Sequence, residues 1–376
     1  LPDVAVGQDL WVVDVGVTLG VEEEYHLVDA ETFELADMPE VATAAIALMG
    51  DEAQGEISTS QLEIATPVCR SLAEVRAHLT RIRRSADDVA RQQGCRILAA
   101  GTHPSATWHE QRLTIGDRYR TLYERWGLLA LQQMITGCHV HVSVADQDLA
   151  VRTMGYLRPD LPTLLALSAS SPYWEGVDTG YASYRTQWFA RWPVTGMPEL
   201  FASKADYDDL VAELVETGMI DDASHLYWDV RPSTKFPTLE VRVADTMPLL
   251  DDVVLHAALA RSLVRVGAAE AAREAPLPAL RSEVVRASRW RAARFGLEEC
   301  LLDTRDHTLK PAGEVVRGLL ARLRDDLEEL GDWNEVSGLV EQALGRGSSA
   351  ARQRSAGAGR DLRQVAASLV EETVSA

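Results

Sequence analysis

The chain has 376 residues, long enough for two domains or for one large domain with a helical appendage. Acidic side chains outnumber basic ones, 57 to 37, and the formal charge of −20 argues against a nucleic-acid-binding or anionic-membrane surface. No apolar run approaches the ~20 residues of a membrane span, Leu1-Pro2-Asp3-Val4 has no basic-then-apolar leader pattern, and the scattered Cys69, Cys95, Cys138 and Cys300 read as buried free thiols of a cytoplasmic protein without structural zinc.

From Val15 to Val28 the sequence reads as a β-strand, and inside it lies Gly20-Val21-Glu22-Glu23-Glu24-Tyr25-His26. Side chains alternate in an extended chain, so Glu22, Glu24 and His26 share one face, while Leu19, Val21, Tyr25 and Leu27 share the other with Glu23. Two carboxylates side by side repel unless a cation or a proton lies between them; a solvated edge strand is the alternative. Asp29 to Thr32 predicts a turn into Phe33-Glu34-Leu35. The next extended candidate runs from Gly55 to Thr66, is closed by Pro67, and sets Glu63 between Leu62 and Ile64. Ser71 and Glu74 have the spacing of a capping box for an amphipathic helix through about Gln93. Cys95 to Ala100 suits a buried strand, Thr102 to Arg118 a long polar loop with a suspected function, and Tyr119 to Ile135 a helix ended by Gly137.

His139-Val140-His141-Val142-Ser143-Val144 sets two histidines and a serine on one face against valines on the other. Hydrogen-bonded core histidines and ligand contacts both remain open for this pair. A helix over 161–170 precedes Pro172 to Pro198, an aperiodic aromatic segment that is either a packed loop or a substrate lid. Arg185 and Arg191 within it call for carboxylate or phosphate partners. After a helix over 204–216, His225, Tyr227, Asp229 and Arg231 share one strand face, and Thr238, Glu240 and Arg242 share a face of the next. The link Pro232 to Phe236 makes them an antiparallel pair. Helices are expected over 249–273, 278–295, 314–330, 334–344 and 361–372, with a mobile Gly- and Ser-rich stretch over 345–359. The pattern is α+β rather than doubly wound, and no Gly-rich phosphate loop is present. The expected organisation is a single domain, 1–376, with a sheet-forming catalytic half over 14–248 and a mainly helical part over 249–376.

Four strand candidates thus share one design, an apolar face and a face of Glu, His, Asp or Arg. In one antiparallel sheet the functional faces line a single concave surface, where Glu22, Glu24, His139, His141, Glu240 and Arg242 replace the Thr, Lys, Ser and Gln of a solvated face. Carboxylates with one or two imidazoles suit Mg²⁺ or Mn²⁺ rather than zinc, and HExxH is absent. Clustered cations beside Arg231 and Arg242 are what polyphosphate binding requires. The residues by themselves lead to a metal-dependent nucleotide enzyme without a P-loop and leave its substrate open.

At Gly20-Val21-Glu22-Glu23-Glu24, Gln61-Leu62-Glu63-Ile64, His139-Val140-His141-Val142, and Arg231-Pro232 with Thr238-Leu239-Glu240-Val241-Arg242, the sequence resembles the type 2 glutamate-cysteine ligase family of ATP-dependent carboxylate-amine ligases. The resemblance extends to Gly180-Tyr181-Ala182-Ser183-Tyr184-Arg185 and Arg289-Trp290-Arg291-Ala292-Ala293-Arg294. It implies a glutamine synthetase-like fold, a curved antiparallel sheet forming a funnel, with ATP entering from one side and the carboxylate from the other. It also implies Glu22, Glu24, Glu63, His139 and Glu240 as metal positions, Arg242 as a phosphate contact, catalytic or binding roles for Arg231 and His141, and Arg185 at the substrate carboxylate. Glu23 is expected to face the other way and to matter structurally. The implied reaction passes through an acyl phosphate, formed when the carboxylate attacks the γ-phosphate of ATP and consumed when an amine attacks it. Glutamate is the implied acid, cysteine or another amine the acceptor, and a homodimer the implied assembly. The competing readings are a metal-dependent amide hydrolase, since Glu/His clusters also activate water, and a non-catalytic ATP- and metal-binding homologue.

Overall fold

The computed structural model describes residues 17–114, 117–359 and 361–375. Seven strands form one sheet: β1 (Leu19–Asp29), β2 (Ala53–Gly55), β3 (Gln61–Ala65), β4 (Cys95–Leu98), β5 (Gly137–Ser143), β6 (Val230–Pro232) and β7 (Thr238–Asp245). Their order is β6-β7-β5-β1-β3-β2, and every pairing is antiparallel. β4 pairs with the last residues of β1, continuing the edge that β5 occupies at the first residues. On one face Val21, Tyr25, Leu27, Leu62, Ile64, Val140, Val142, Leu239 and Val241 are fully buried, in one core with the helices Leu72–Gln92 and Leu250–Ala272. Helices over one face of an antiparallel sheet make this the α+β architecture expected from the alternation.

Several elements differ from expectation, each for a local reason. The strand expected from Val15 begins at Leu19, and residues 15 and 16 lie outside the described ones. The single run over 55–66 is a hairpin of β2 and β3, because the Ser58 and Ser60 hydroxyls meet at 2.7 Å and the Gln61 N–H bonds back to the Ser58 carbonyl. Ser71 does cap its helix by accepting from the Glu74 N–H, but the Glu74 carboxylate accepts from Arg70 rather than closing the box on Ser71. The helix expected over 119–135 ends at Trp126, where Gly127 takes a φ of 56°, and only Leu128–Leu131 is helical beyond it. Tyr227 and Trp228 pair in parallel with Thr195 and Gly196 instead of continuing β6. The stretch over 345–359 contains a helix, Ser349–Ala356, capped by Ser348 and held by Gln353, whose amide donates to the Ser170 carbonyl. The helix Gln147–Leu157, capped by Asp146, and the hairpin of Cys300–Asp303 with Thr308–Pro311 were not anticipated. All four cysteines are free, although Cys300 is only half-buried. Among the described residues no helix is long and apolar enough to cross a membrane.

Glu23 faces the core. Its carboxylate receives Arg83 Nε at 3.0 Å and Nη2 at 2.5 Å, together with the Tyr25 hydroxyl at 2.6 Å. Arg83 also donates to the carbonyls of Met247 at 2.9 Å, Pro248 at 2.6 Å and Thr373 at 3.2 Å. Neither side chain of the pair is exposed at all. Removing one partner leaves the other charge buried and uncompensated, so Arg83→Met is expected to lower the urea-unfolding free energy by about 3–5 kcal/mol. The double variant Glu23→Gln/Arg83→Met is expected to lose less than the two single losses together.

His103 is held neutral by its surroundings. Its Nε2 lies 3.0 Å from the Phe33 carbonyl, while Nδ1 accepts from the Ala106 N–H at 2.9 Å, so a second ring proton has no acceptor to meet. Burial pulls its pKa down to about 4 against a smaller rise from the Phe33 carbonyl, and burial together with His103 pulls neighbouring His26 down to about 3. Both folded-state values lie below the unfolded value near 6.5, so this stability is present above pH 6.5 and lost as pH falls through that value towards 4. Unfolding at about pH 5 is therefore expected to take up protons, measured as a rise in the urea midpoint between pH 5 and pH 7. A flat midpoint across that range contradicts the buried neutral pair.

Candidate functional site

The register of the sheet assembles the polar face. β1 and β5 set Glu22 opposite His139, β5 and β7 set His141 opposite Glu240, and β1 and β3 set Glu24 opposite Glu63. Directly opposed residues bring their side chains within reach of one another. A cleft of about 580 Å³ lies over this face, lined by Glu22, Glu24, Glu63, His139, His141, Arg185, Arg231, Glu240 and Arg242. The cleft therefore gathers every site residue expected from the sequence. His26 shares that face further along β1, beyond the cleft, and packs edge-on against His103 at 6.1 Å.

Among the described residues, two groups each bring three ligand atoms within 4.8 Å of one another, Glu22 with His139 and Glu240, and Glu24 with Glu56 and Glu63. Sequence reasoning missed Glu56. The only signal for it was a lone carboxylate directly after Gly55, and reading 55–66 as continuous strand hid the turn that brings Glu56 round. Gln54 was missed too; its amide donates to Glu63.

The groups differ in their electrostatics. Burial raises the Glu22 carboxyl, but the imidazoles of His139, 3.3 Å away, and His141, 3.1 Å away, outweigh it and hold Glu22 well below the usual carboxylate range. Glu240 is likewise raised by burial and brought far down by Arg242 and Arg231. In the other group burial and the Glu56 charge push Glu24 up to about 8, against weaker opposition from Arg185 and the Gly137 N–H, which donates to Glu24 at 2.6 Å. Burial and Glu56 also push Glu63 well above the usual range. Carboxylates forced together without a compensating cation suit a hard divalent ion. His139 turns Nδ1 to Glu22 at 3.3 Å and Glu240 at 4.0 Å, and His141 Nε2, which completes no hydrogen bond among the described residues despite its closeness to Glu22, suits a ligand at the first group. His139 itself is held down to about 4 by burial and Arg242, hence neutral and able to ligate.

The three arginines stand differently. Arg231 is engaged throughout: Nε meets Glu240 at 2.8 Å, and Nη1 meets the carbonyls of Ser224 at 2.7 Å and Leu226 at 2.8 Å. It pins Glu240 in place. Arg242 touches Glu240 through Nη1 and keeps a buried Nε without a partner among the described residues. Arg185 is 5% exposed, also keeps an Nε unpartnered among the described residues, and passes so close over Gly137 that any Cβ there would strike its guanidinium. Arg191 stacks over Trp188 at 4.0 Å and donates to Gln132. His141 Nδ1 is fixed 3.0 Å from the Thr238 hydroxyl.

The model of glutamate-cysteine ligase family 2 matches residues 18–371. A candidate glutamate–cysteine ligase 2 from Rhodopirellula baltica is 39% identical over 95% of this chain and 97% of its own length. A candidate glutamate–cysteine ligase 2-2 from Frankia casuarinae is 43% identical over 94% of this chain, which spans only 41% of that relative. Two solved structures share the fold. A bifunctional glutathione synthetase from Pasteurella multocida aligns with a TM-score of 0.71 at 19% identity over 96% of this chain and 52% of its own. A glutamate–cysteine ligase from Francisella tularensis in complex with AMP aligns with a TM-score of 0.68 at 13% identity, over 96% of this chain and 89% of its own.

Glu56 is the residue whose role separates a cation site from a chance crowding of acids. Mn²⁺ titration followed by electron paramagnetic resonance is expected to show roughly tenfold or greater weakening in Glu56→Gln with the circular dichroism spectrum unchanged. Equal affinity in the variant removes Glu56 from the ligand set.

Proposed function

Because the chain belongs to glutamate-cysteine ligase family 2, we propose that it is an ATP-dependent carboxylate–amine ligase, with glutamate as the acid and cysteine as the first amine to test. The observation that carries this reading is the pair of three-ligand groups on adjoining strands, with Arg242 and Arg185 lining the same cleft. Glu22, His139 and Glu240 would hold one Mg²⁺ or Mn²⁺ ion, and Glu24, Glu56 and Glu63 a second. Bound there, the cations would supply positive charge to the phosphate oxygens of ATP.

The chain's own groups have separate tasks. Arg185 holds the acid substrate by its carboxylate. Arg242 offers its guanidinium to the phosphoryl group as charge develops on it. Arg231 keeps Glu240 in place, and His141, oriented by Thr238, faces the substrates. A carboxylate oxygen of the acid attacks the γ-phosphorus and ADP leaves. The amine then attacks the acyl carbon, phosphate leaves, and the amide remains. Positioning in a cleft of this size removes the need for a protein nucleophile in either step. A cytoplasmic setting is supported by four unpaired thiols.

ADP release is expected only when ATP, a divalent cation, the acid and the amine are all present, with the amide identified by mass. Glu24→Gln and Glu240→Gln are each expected to lower that rate by roughly 10²-fold or more without loss of the fold. Amide cleavage without ATP would instead assign the cleft to a hydrolase, and nucleotide binding without turnover on any amine to a non-catalytic homologue.

A further inference from the structure

Behind the cleft, Asp245 at the end of β7 is buried against Arg185, and the manner of its burial is informative. Asp245 Oδ2 accepts from the Ser170 N–H at 2.9 Å and the Ser171 hydroxyl at 2.7 Å, and Oδ1 accepts from the Ser183 hydroxyl at 2.8 Å. The Arg185 Nη1 stands 3.9 Å from Oδ1, close enough for attraction but too far for a hydrogen bond. Asp245 thus gives its hydrogen-bonding capacity to three donors on the 170–183 segment and only its charge to Arg185.

The same serines fix the backbone that carries Arg185. Ser171 Oγ accepts from the Arg185 N–H at 3.0 Å, and Ser183 is the N-cap of the short helix Tyr184–Phe189. From the C-terminal part of the chain, Ser349 accepts from the Ser170 hydroxyl at 2.9 Å and Gln353 donates to the Ser170 carbonyl at 3.1 Å. Gly101 makes room for the carboxylate, since a Cβ there would lie 2.7 Å from Asp245 Cγ. Close contact with a bare carboxylate would form the bidentate pair that guanidinium groups favour and would occupy the fork. The serine donors prevent that capture.

We infer that Asp245, held by Ser170, Ser171 and Ser183, is a positioning residue that anchors the Arg185 guanidinium by charge while leaving its N–H groups open to the acid substrate. The inference rests on the reading of Arg185 as the carboxylate anchor given above. Two opposite changes converge on one phenotype. Asp245→Asn removes the tethering charge, whereas Ser183→Ala frees the oxygen nearest Arg185 to bind the guanidinium directly and compete with substrate. Both impair acid binding, and neither touches the nucleotide.

The test is steady-state ADP release with L-glutamate as the acid, saturating ATP and Mg²⁺, and hydroxylamine as the acceptor, on the full chain. Arg185→Ala is the reference. Asp245→Asn and Ser183→Ala are each expected to raise KM for L-glutamate roughly tenfold or more while kcat and the KM for ATP stay within about twofold. An unchanged glutamate KM in Arg185→Ala, or no glutamate-dependent ADP release by the unaltered protein, overturns the anchor reading and this inference with it. A raised KM in Arg185→Ala but not in Asp245→Asn and Ser183→Ala leaves the anchor standing and overturns the role of Asp245. Parallel loss of kcat and both KM values in the two variants assigns the network to structure alone and also overturns it.

Discussion

The contact on which the rest of the structure depends is the buried pair of Glu23 and Arg83. β1 carries three consecutive glutamates, and only one phase of the strand is compatible with a folded core. Side-chain period is two, so slipping the strand by one residue would exchange every side chain between faces. Glu23 would enter the cleft, and Glu22 and Glu24 would be driven among Val140 and Leu62. Arg83 makes that slip costly, because it offers a fully buried guanidinium at the one place where Glu23 is wanted. Its further bonds to Met247, Pro248 and Thr373 tie the same point to the segment after β7 and to the last helix. The pair therefore sets strand phase and gathers distant parts of the chain at once.

Given that phase, strand pairing converts sequence alternation into a site. Glu22 with His139, His141 with Glu240, and Glu24 with Glu63 are opposed residues on four neighbouring strands, so most candidate ligands rest on the rigid sheet rather than on loops. Glu56 is the exception and comes from the β2–β3 turn. The group it completes is also the one with the weaker cationic compensation, with Glu24 pushed up to about 8 by burial and by Glu56 itself despite Arg185 and Arg242. The other group has Arg231 and Arg242 beside Glu240 and two imidazoles beside Glu22. Physical need for a cation is thus greater at the Glu24, Glu56 and Glu63 group, where no side chain relieves the mutual repulsion as fully.

What could be read in advance follows from this division of labour. Alternation is a local property, so the strand faces, the separate fate of Glu23 and the convergence of Glu22, Glu24, His139, His141 and Glu240 were legible from spacing, whereas Glu63 and Arg185 were assigned to the site only by the family resemblance. Glu56 was not, because its position depends on hydroxyl contacts between Ser58 and Ser60 that end the strand early. The helix Ser349–Ala356 was hidden for a different reason. The Gly- and Ser-rich composition of the surrounding 345–359 stretch suggests mobility, whereas Ser349 and Gln353 are there to meet Ser170 more than 170 positions away. Long-range polar satisfaction leaves no local periodicity to find.

The arginines show the same limit most sharply. In sequence terms Arg231 and Arg242 are equivalent, each a guanidinium on a strand face with an acidic residue, while Arg185 lies in the aperiodic aromatic segment. Packing makes them unequal. Arg231 has its fork closed by Glu240 and two carbonyls, so its contribution is to fix a carboxylate rather than to meet a ligand. Arg242 and Arg185 each keep a buried Nε with no partner among the described residues, a condition that costs stability unless something else fills it. One stands beside Glu240 and the other beside Asp245, near opposite ends of the inner face of β7. The reaction we propose must hold a phosphoryl donor and a carboxylate at once and would use two such groups set apart, Arg242 on β7 itself and Arg185 on the helix Tyr184–Phe189 facing Asp245 at the end of β7.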